Sequence, residues 1–200
     1  MKTIDYYNEN AKAFTESTVA VDFSAIQDKF LEKIPEGAMI LDFGCGSGRD
    51  TKYFLEKGYR LEATDGSKEL CKIAAEYTGI EVKQMYFQEL KEKARYDAIW
   101  ACSSILHLSY RELVEVFGKM KHALKDEGVL YTSFKYGSFE GFRNGRYFTD
   151  LTEERLGEIL EAVGGFCIEE LWITKDVRPG RGDECWLNMF LRICREENRC

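Results

Sequence analysis

Three glycines, Gly44, Gly46 and Gly48, alternate with Cys45 and Ser47 immediately after the apolar run Met39-Ile40-Leu41-Asp42-Phe43. Glycines in a strand-to-helix turn remove side chains from the place where a ligand can lie against bare backbone. Arg49 stands where the dinucleotide fingerprint G-x-G-x-x-G requires its third glycine, and the Gly-Lys-Ser/Thr ending of a P-loop is missing, so neither loop is expected. Asp42, directly before the glycines, would repel a pyrophosphate and suits a ligand with a cationic end. A second carboxylate, Asp65, closes the next apolar run 23 residues after Asp42 and is followed by Gly66. A carboxylate so placed can accept both hydroxyls of a ribose.

Such a loop needs strands to hold it. Hydrophobic periodicity alternates between helix and strand along the whole chain, with no repeat, no Gly/Ser/Pro linker and only Pro35 and Pro179 as prolines. Ile4, Tyr7, Ala11 and Phe14 share one helical face, as do Phe23, Ile26, Phe30 and Ile34, so two amphipathic helices precede the first strand. Further helices are expected at 50–57, after Ser67, after the Ser109/Glu112 capping box and at 152–163. Strands are expected at 38–43, 59–64, 80–86, 96–101, 129–134, 166–174 and 185–193. This alternation predicts an α/β fold: a Rossmann-like, doubly wound seven-stranded sheet, parallel except for an antiparallel last strand. The expected organisation is one domain over 1–200, with 1–35 a helical lid or cover and 36–195 the α/β core. Parallel sheets bind ligands beyond the carboxyl ends of their strands, so function is sought in the loops that follow strands.

With these pieces in place, the chain resembles the class I S-adenosylmethionine-dependent methyltransferases over nearly its whole length. Leu41-Asp42-Phe43-Gly44-Cys45-Gly46-Ser47-Gly48 matches the first motif of that family, and Asp65 matches the acidic residue of its second. The resemblance implies S-adenosyl-L-methionine as cofactor and S-adenosyl-L-homocysteine as product. It places the methionine part on Asp42, Gly44, Cys45, Gly46 and Gly48, and the ribose on Asp65 and Gly66. It also implies adenine contacts at Phe87 and Gln88, and contacts near the methyl group at Ala101 and Cys102. Leu124-Lys125-Asp126-Glu127-Gly128 resembles the family's turn into the fifth strand, with Asp126 and Glu127 replacing the usual Pro-Gly. The short chain and Gly46-Ser47-Gly48-Arg49-Asp50 look like the small bacterial tellurite-resistance type, which implies a small or thiol-like acceptor. Ala101-Cys102-Ser103-Ser104 stands where enzymes that methylate nucleic-acid bases carry Asn/Asp-Pro-Pro-Tyr/Phe.

Methyl transfer from a sulfonium calls for an in-line nucleophile and exclusion of water more than for acid–base groups. If a base is used, His107, after the fourth strand, is the expected catalytic residue, because histidine titrates near working pH. Tyr6, Tyr7 and Phe14 of the first helix are placed to act as a lid. Lys135, Arg143, Arg146, Arg178 and Arg181 gather in loops after the fifth and sixth strands, on the rim of the glycine loop, where an anionic acceptor would meet them. Tyr136, Tyr147 and Phe148 would supply an apolar wall, and the expected substrate-binding set is Tyr7, Tyr136, Arg146, Arg178 and Arg181.

Composition narrows the remaining classes. The 200 residues carry a net charge of −7 and are 44% hydrophobic and 32% charged, which suits a folded globular domain and disfavours nucleic acid as a partner. The longest charge-free stretch falls short of a membrane span and the N-terminus has no signal-like apolar run, so a cytoplasmic protein off the membrane is expected. Seven cysteines without a C-x-x-C pair and only two histidines predict neither a disulfide framework nor a metal site. The leading expectation is methyl transfer to a small-molecule acceptor by a monomer or homodimer. The rivals are a protein- or RNA-directed methyltransferase and a non-catalytic domain that binds the cofactor.

Overall fold

The computed structural model describes residues 3–177 and 182–194. Two helices, α1 (Thr3–Thr18) and α2 (Ser24–Leu31), precede β1 (Met39–Phe43), α3 (Arg49–Glu56), β2 (Arg60–Asp65), α4 (Lys68–Thr78), β3 (Val82–Gln84) and β4 (Tyr96–Ala101). The chain continues through α5 (Tyr110–Ala123), β5 (Leu124–Lys135), β6 (Glu140–Arg143), β7 (Arg146–Thr149), α6 (Glu153–Val163), β8 (Phe166–Lys175) and β9 (Cys185–Ile193). Seven strands form one sheet in the order β3-β2-β1-β4-β5-β9-β8. The pairs from β3 through β5 are parallel, and β9 runs antiparallel to both β5 and β8, so the last strand is the reversed one, as the alternation predicts. Strand order switches direction between β1 and β4, which opens the crevice where parallel sheets bind ligands.

A period of two along each strand divides the apolar side chains between the faces. Leu41 and Phe43 of β1, Ile99 and Ala101 of β4, and Leu130 and Phe134 of β5 join α5 and α6 in one core. Ile40, Ala98, Trp100, Val129 and Tyr131 face the other core, with Phe30 of α2 and Phe54 of α3. Each large apolar side chain buried in this way stabilises the fold by about 1.5–3 kcal/mol. Side-chain caps begin the helices: Ser67 accepts from Leu70 N, Ser109 from Glu112 N and Thr152 from Arg155 N.

Four details depart from the sequence expectation. The third strand is only Val82–Gln84, paired with Ala63 to Asp65 at the end of β2. The fifth strand starts earlier, because Leu124 already pairs with Tyr96 before a bulge, and Glu127 turns the chain in the left-handed conformation (φ 60°). The expected loop after the fifth strand contains the hairpin β6–β7. Its turn residues Asn144 and Gly145 have φ of 51° and 75° between the paired Arg143 and Arg146, the tight turn that matches strand twist. Finally, Cys167 and Cys194 are disulfide-bonded, because antiparallel pairing brings the start of β8 beside the end of β9. Among the described residues, no helix is long and apolar enough to cross a membrane.

The glycine loop is held by packing on α4. Gly48 precedes α3 with φ of 80°, and a Cβ there would lie 2.8 Å from Thr78 Cγ2 and 3.2 Å from the Ala74 Cα. Gly58 has a similar backbone, φ 87°, with open space around it. Gly58→Ala should cost the backbone strain alone, about 1 kcal/mol, and Gly48→Ala about 2–4 kcal/mol. In thermal unfolding, Gly48→Ala is expected to melt roughly 3–10 °C below Gly58→Ala. Equal melting temperatures would show that α4 does not constrain the loop.

Candidate active site

The carboxyl ends of β1, β2, β4 and β5 open onto one cavity of about 1070 Å³. At the glycine loop, Gly44 N and Cys45 N both donate to Thr64 O at 2.9 Å, so the turn stays tied to β2. The Asp65 carboxylate accepts from Gly46 N at 3.0 Å and Ser67 N at 2.8 Å, and it borders the cavity. Burial raises its pKa to about 6, against the pull of those two donors. Gly44, Cys45, Gly46, Gly66, Phe87, Gln88 and Cys102 border the same space, as do Ile4, Met85 and Tyr86, which the motif reading omits. Burial pushes the Cys45 thiol well up and the Cys102 thiol to about 12, so both stay neutral.

Three residues expected to touch the cofactor do not border the cavity. Asp42 is 2% exposed and accepts from Thr51 Oγ1 at 2.5 Å; burial, and then the charge of Asp50, raise its pKa to about 8. Gly48 is occupied with packing on α4, and Ala101 is buried in the core. All three support the loop and the strand ends from behind. Asp50, by contrast, does border the cavity. It accepts from Gln27 Nε2 at 2.7 Å, Arg49 Nε at 2.7 Å and Trp100 Nε1 at 2.8 Å.

The helix α1 lies against both parts of the cavity. A Cβ on Gly46 would meet the Phe14 ring at 3.1 Å, and one on Gly66 would meet Ile4 at 2.7 Å. Asn8 Oδ1 accepts from Ser67 Oγ at 2.7 Å, while Thr3 Oγ1 accepts from Tyr147 N at 2.9 Å. The first bond ties α1 to the loop after β2, the second to the hairpin β6–β7.

His107 lies in a single turn, Ile105–His107, after β4. Its Nδ1 is 2.6 Å from Tyr147 O and its Nε2 2.8 Å from the Tyr7 hydroxyl. A carbonyl only accepts, so Nδ1 carries the proton and Nε2 accepts from Tyr7. Burial lowers the His107 pKa to about 4, and the charges of Arg146 and Arg143 push the same way. The imidazole is therefore neutral, the form in which it can accept a proton, and both of its nitrogens are engaged in this structure. Arg146 NH1 lies 3.4 Å from the same Tyr7 oxygen.

The other rim residues separate. Lys135 is ion-paired with Glu184 and Arg143 with Asp150. Arg178 and Arg181 lie outside the described residues. Tyr136, expected to contact the substrate, is 41% exposed, donates to Glu153 Oε2 at 3.0 Å and does not border the cavity. Sequence reasoning missed Ser103 and Ser133. Both border the cavity; Ser103 has φ of 50°, its N donates to Ser133 Oγ at 2.9 Å, and the two hydroxyls are 3.1 Å apart. The signal was present in Thr132-Ser133, a polar pair within the apolar stretch from Val129 to Phe134.

A buried carboxylate beside bare loop backbone, at the switch point of a parallel sheet, fits a cofactor with a ribose diol and no phosphate. Residues 40–128 match the family model of a methyltransferase domain. Among solved structures, the chain is similar to 1,6-didemethyltoxoflavin-N1-methyltransferase of Burkholderia thailandensis, which holds 1,6-didemethyltoxoflavin and S-adenosylhomocysteine. That match has 25% identity and a TM-score of 0.75, and covers 96% of this chain and 85% of that one. An uncharacterised methyltransferase of Staphylococcus carnosus is 26% identical over 122 residues, 58% of this chain and 59% of that protein. N-terminal Xaa-Pro-Lys N-methyltransferase 1 of Danio rerio is 34% identical over 117 residues, 51% of this chain and 52% of that protein. The chain spans little more than half the length of these two relatives.

Asp42 makes a pH-dependent prediction. Its folded pKa lies above the unfolded value of roughly 4, so its contribution to stability is full below about pH 4 and is lost as pH rises through about 8. Asp42→Asn, which keeps the bond from Thr51, should melt close to wild type near about pH 4 and above it near about pH 9. A difference that does not widen with pH in thermal melts would refute the buried-charge account.

Proposed function

We propose that this protein transfers the methyl group of S-adenosylmethionine to a small-molecule acceptor held beneath α1. The observation that carries the reading is continuity: one cavity joins the glycine loop and Asp65 to Tyr7, His107, Arg146 and Ser103. In this reading, backbone at Gly44, Cys45 and Gly46 receives the methionine part. Asp65 receives the ribose, Phe87 and Gln88 receive the adenine, and Cys102 lies near the sulfur. The cofactor, when bound, supplies a methyl group on a positively charged sulfur that needs no acid to activate it. The protein's own part is orientation and exclusion of water. Phe14, Leu106 and Phe148 wall the cavity with apolar surface, and α1 closes over it as a lid tied to both ends.

The Burkholderia thailandensis enzyme, whose structure holds a small molecule, supports that acceptor class. The Danio rerio relative makes a peptide amine the second reading. A thiol or metalloid acceptor would be a narrower form of the first and draws no support from the described lining residues.

Calorimetric titration with S-adenosylmethionine and S-adenosylhomocysteine tests the cofactor site. Asp65→Ala removes a charged acceptor for two hydroxyls, so affinity should fall on the order of a hundredfold. Wild-type protein should then pass label from a methyl-labelled cofactor into a small-molecule extract. Label confined to peptides would select the second reading, binding without transfer would leave a non-catalytic domain, and no binding would end the proposal.

A further inference from the structure

Three of the five rim cations lie among the described residues, and their surroundings differ. Lys135 and Arg143 have carboxylate partners, Glu184 and Asp150. Arg146 has none within ion-pair distance among the described residues, and its Nε is buried without a hydrogen-bond partner. A guanidinium keeps its charge at any ordinary pH, so a partly buried one without a counter-charge is costly until an anion arrives. Arg146 borders the cavity, with its guanidinium carbon 4.6 Å from the Tyr6 ring centre and 5.2 Å from that of Phe148. These rings hold its plane without neutralising it.

The surroundings define what would neutralise it. The polar contact of Arg146, the Tyr7 oxygen at 3.4 Å, has already given its proton to the hydrogen bond with His107 Nε2. His107 is neutral, so it holds Tyr7 in place without adding a competing charge. Flat apolar groups border the same end of the cavity: Tyr7, Phe14, Tyr147 and Phe148, with Tyr7 and Phe14 packed edge to face at 5.2 Å.

We infer that the methyl acceptor is a flat, unsaturated acid, ionised at neutral pH, whose carboxylate or equivalent oxyanion is received by Arg146. The inference rests on the methyltransferase reading and names the substrate class of that site. A neutral acceptor would leave the cation uncompensated, and a saturated one would forgo the ring faces. Arg146 is the specificity-determining residue, and Tyr7 and His107 are positioning residues that hold its guanidinium.

The test is calorimetric titration with sodium benzoate and with its neutral isostere benzamide, each run with and without saturating S-adenosylhomocysteine. Benzoate should bind at least about tenfold more tightly than benzamide, as a bidentate charge-assisted contact requires. Arg146→Gln should abolish the difference and Arg146→Lys should keep part of it, with S-adenosylhomocysteine affinity within about twofold of wild type in both as a check on folding. His107→Ala should weaken benzoate severalfold, and His107→Gln, which still offers one donor and one acceptor, should restore it. Equal binding of the two probes, binding of neither, or a preference that survives in Arg146→Gln overturns the proposal. No change in His107→Ala removes His107 from the positioning set. Wild-type protein that binds no S-adenosylhomocysteine overturns the methyltransferase reading instead, and the probe titrations without it still decide the anion site.

Discussion

Asp50 is 8% exposed, and a carboxylate withdrawn that far from water must be met by donors. Gln27 of α2, Arg49 at the start of α3 and Trp100 of β4 supply them. One side chain thus ties an N-terminal helix, the helix that continues the glycine loop and a central strand. Trp100 is itself fixed by rings, stacked on Tyr131 at 4.1 Å and packed on Phe30 and Phe54 at 5.0 and 5.1 Å. The placement of the buried charge therefore depends on the packing of one face of the sheet. The loop can present bare backbone to a ligand because the first turn of α3, directly after it, is pinned. The same charge helps to hold Asp42 protonated, since burial and a neighbouring acid both disfavour a second anion.

The cavity is assembled from segments far apart in the chain. β1, β2 and β4 deliver the glycine loop, Asp65 and Cys102 by ending at one level, where parallel strands must turn back into helices. The other side of the cavity is built differently. A short turn carries His107, a hairpin carries Arg146, and α1 lies across both ends. Hydrogen bonds link them in a chain: Arg146 to Tyr7, Tyr7 to His107, His107 to the Tyr147 carbonyl, and Tyr147 N to Thr3. Movement of α1 away from the hairpin would break two of these at once, so the position of α1 and the arrangement of this side of the cavity are coupled.

Local chemistry explains what could be read early. The caps at Ser67, Ser109 and Thr152 start helices through bonds to residues three positions on, and strand alternation sorts Ala98 and Trp100 from Ile99 and Ala101 onto opposite faces. Gly44 and Gly46 line the cavity as their spacing after β1 suggests, and Asp65 meets them from the end of β2. The hairpin β6–β7 was also readable, because Asn144-Gly145 is the strongest short-range turn signal of that kind. Its strands lie outside the main sheet, which is why helix–strand alternation alone passed over it.

The sequence by itself determined the order of the elements, the parallel sheet with one reversed strand, the glycine loop and its acidic partner. Each arises from periodicities of two and 3.6 residues, from caps, or from backbone conformations that glycine adopts without strain. Only the tertiary structure decided that Asp42, Gly48 and Ala101 support the site from behind it. It likewise decided that His107 is neutral with both nitrogens engaged, that Cys167 meets Cys194, and that Lys135 and Arg143 find carboxylates while Arg146 does not. Burial and ion pairing depend on which groups folding brings within a few ångströms. Tyr7 and His107 stand 100 residues apart in the chain, beyond the reach of any local pattern.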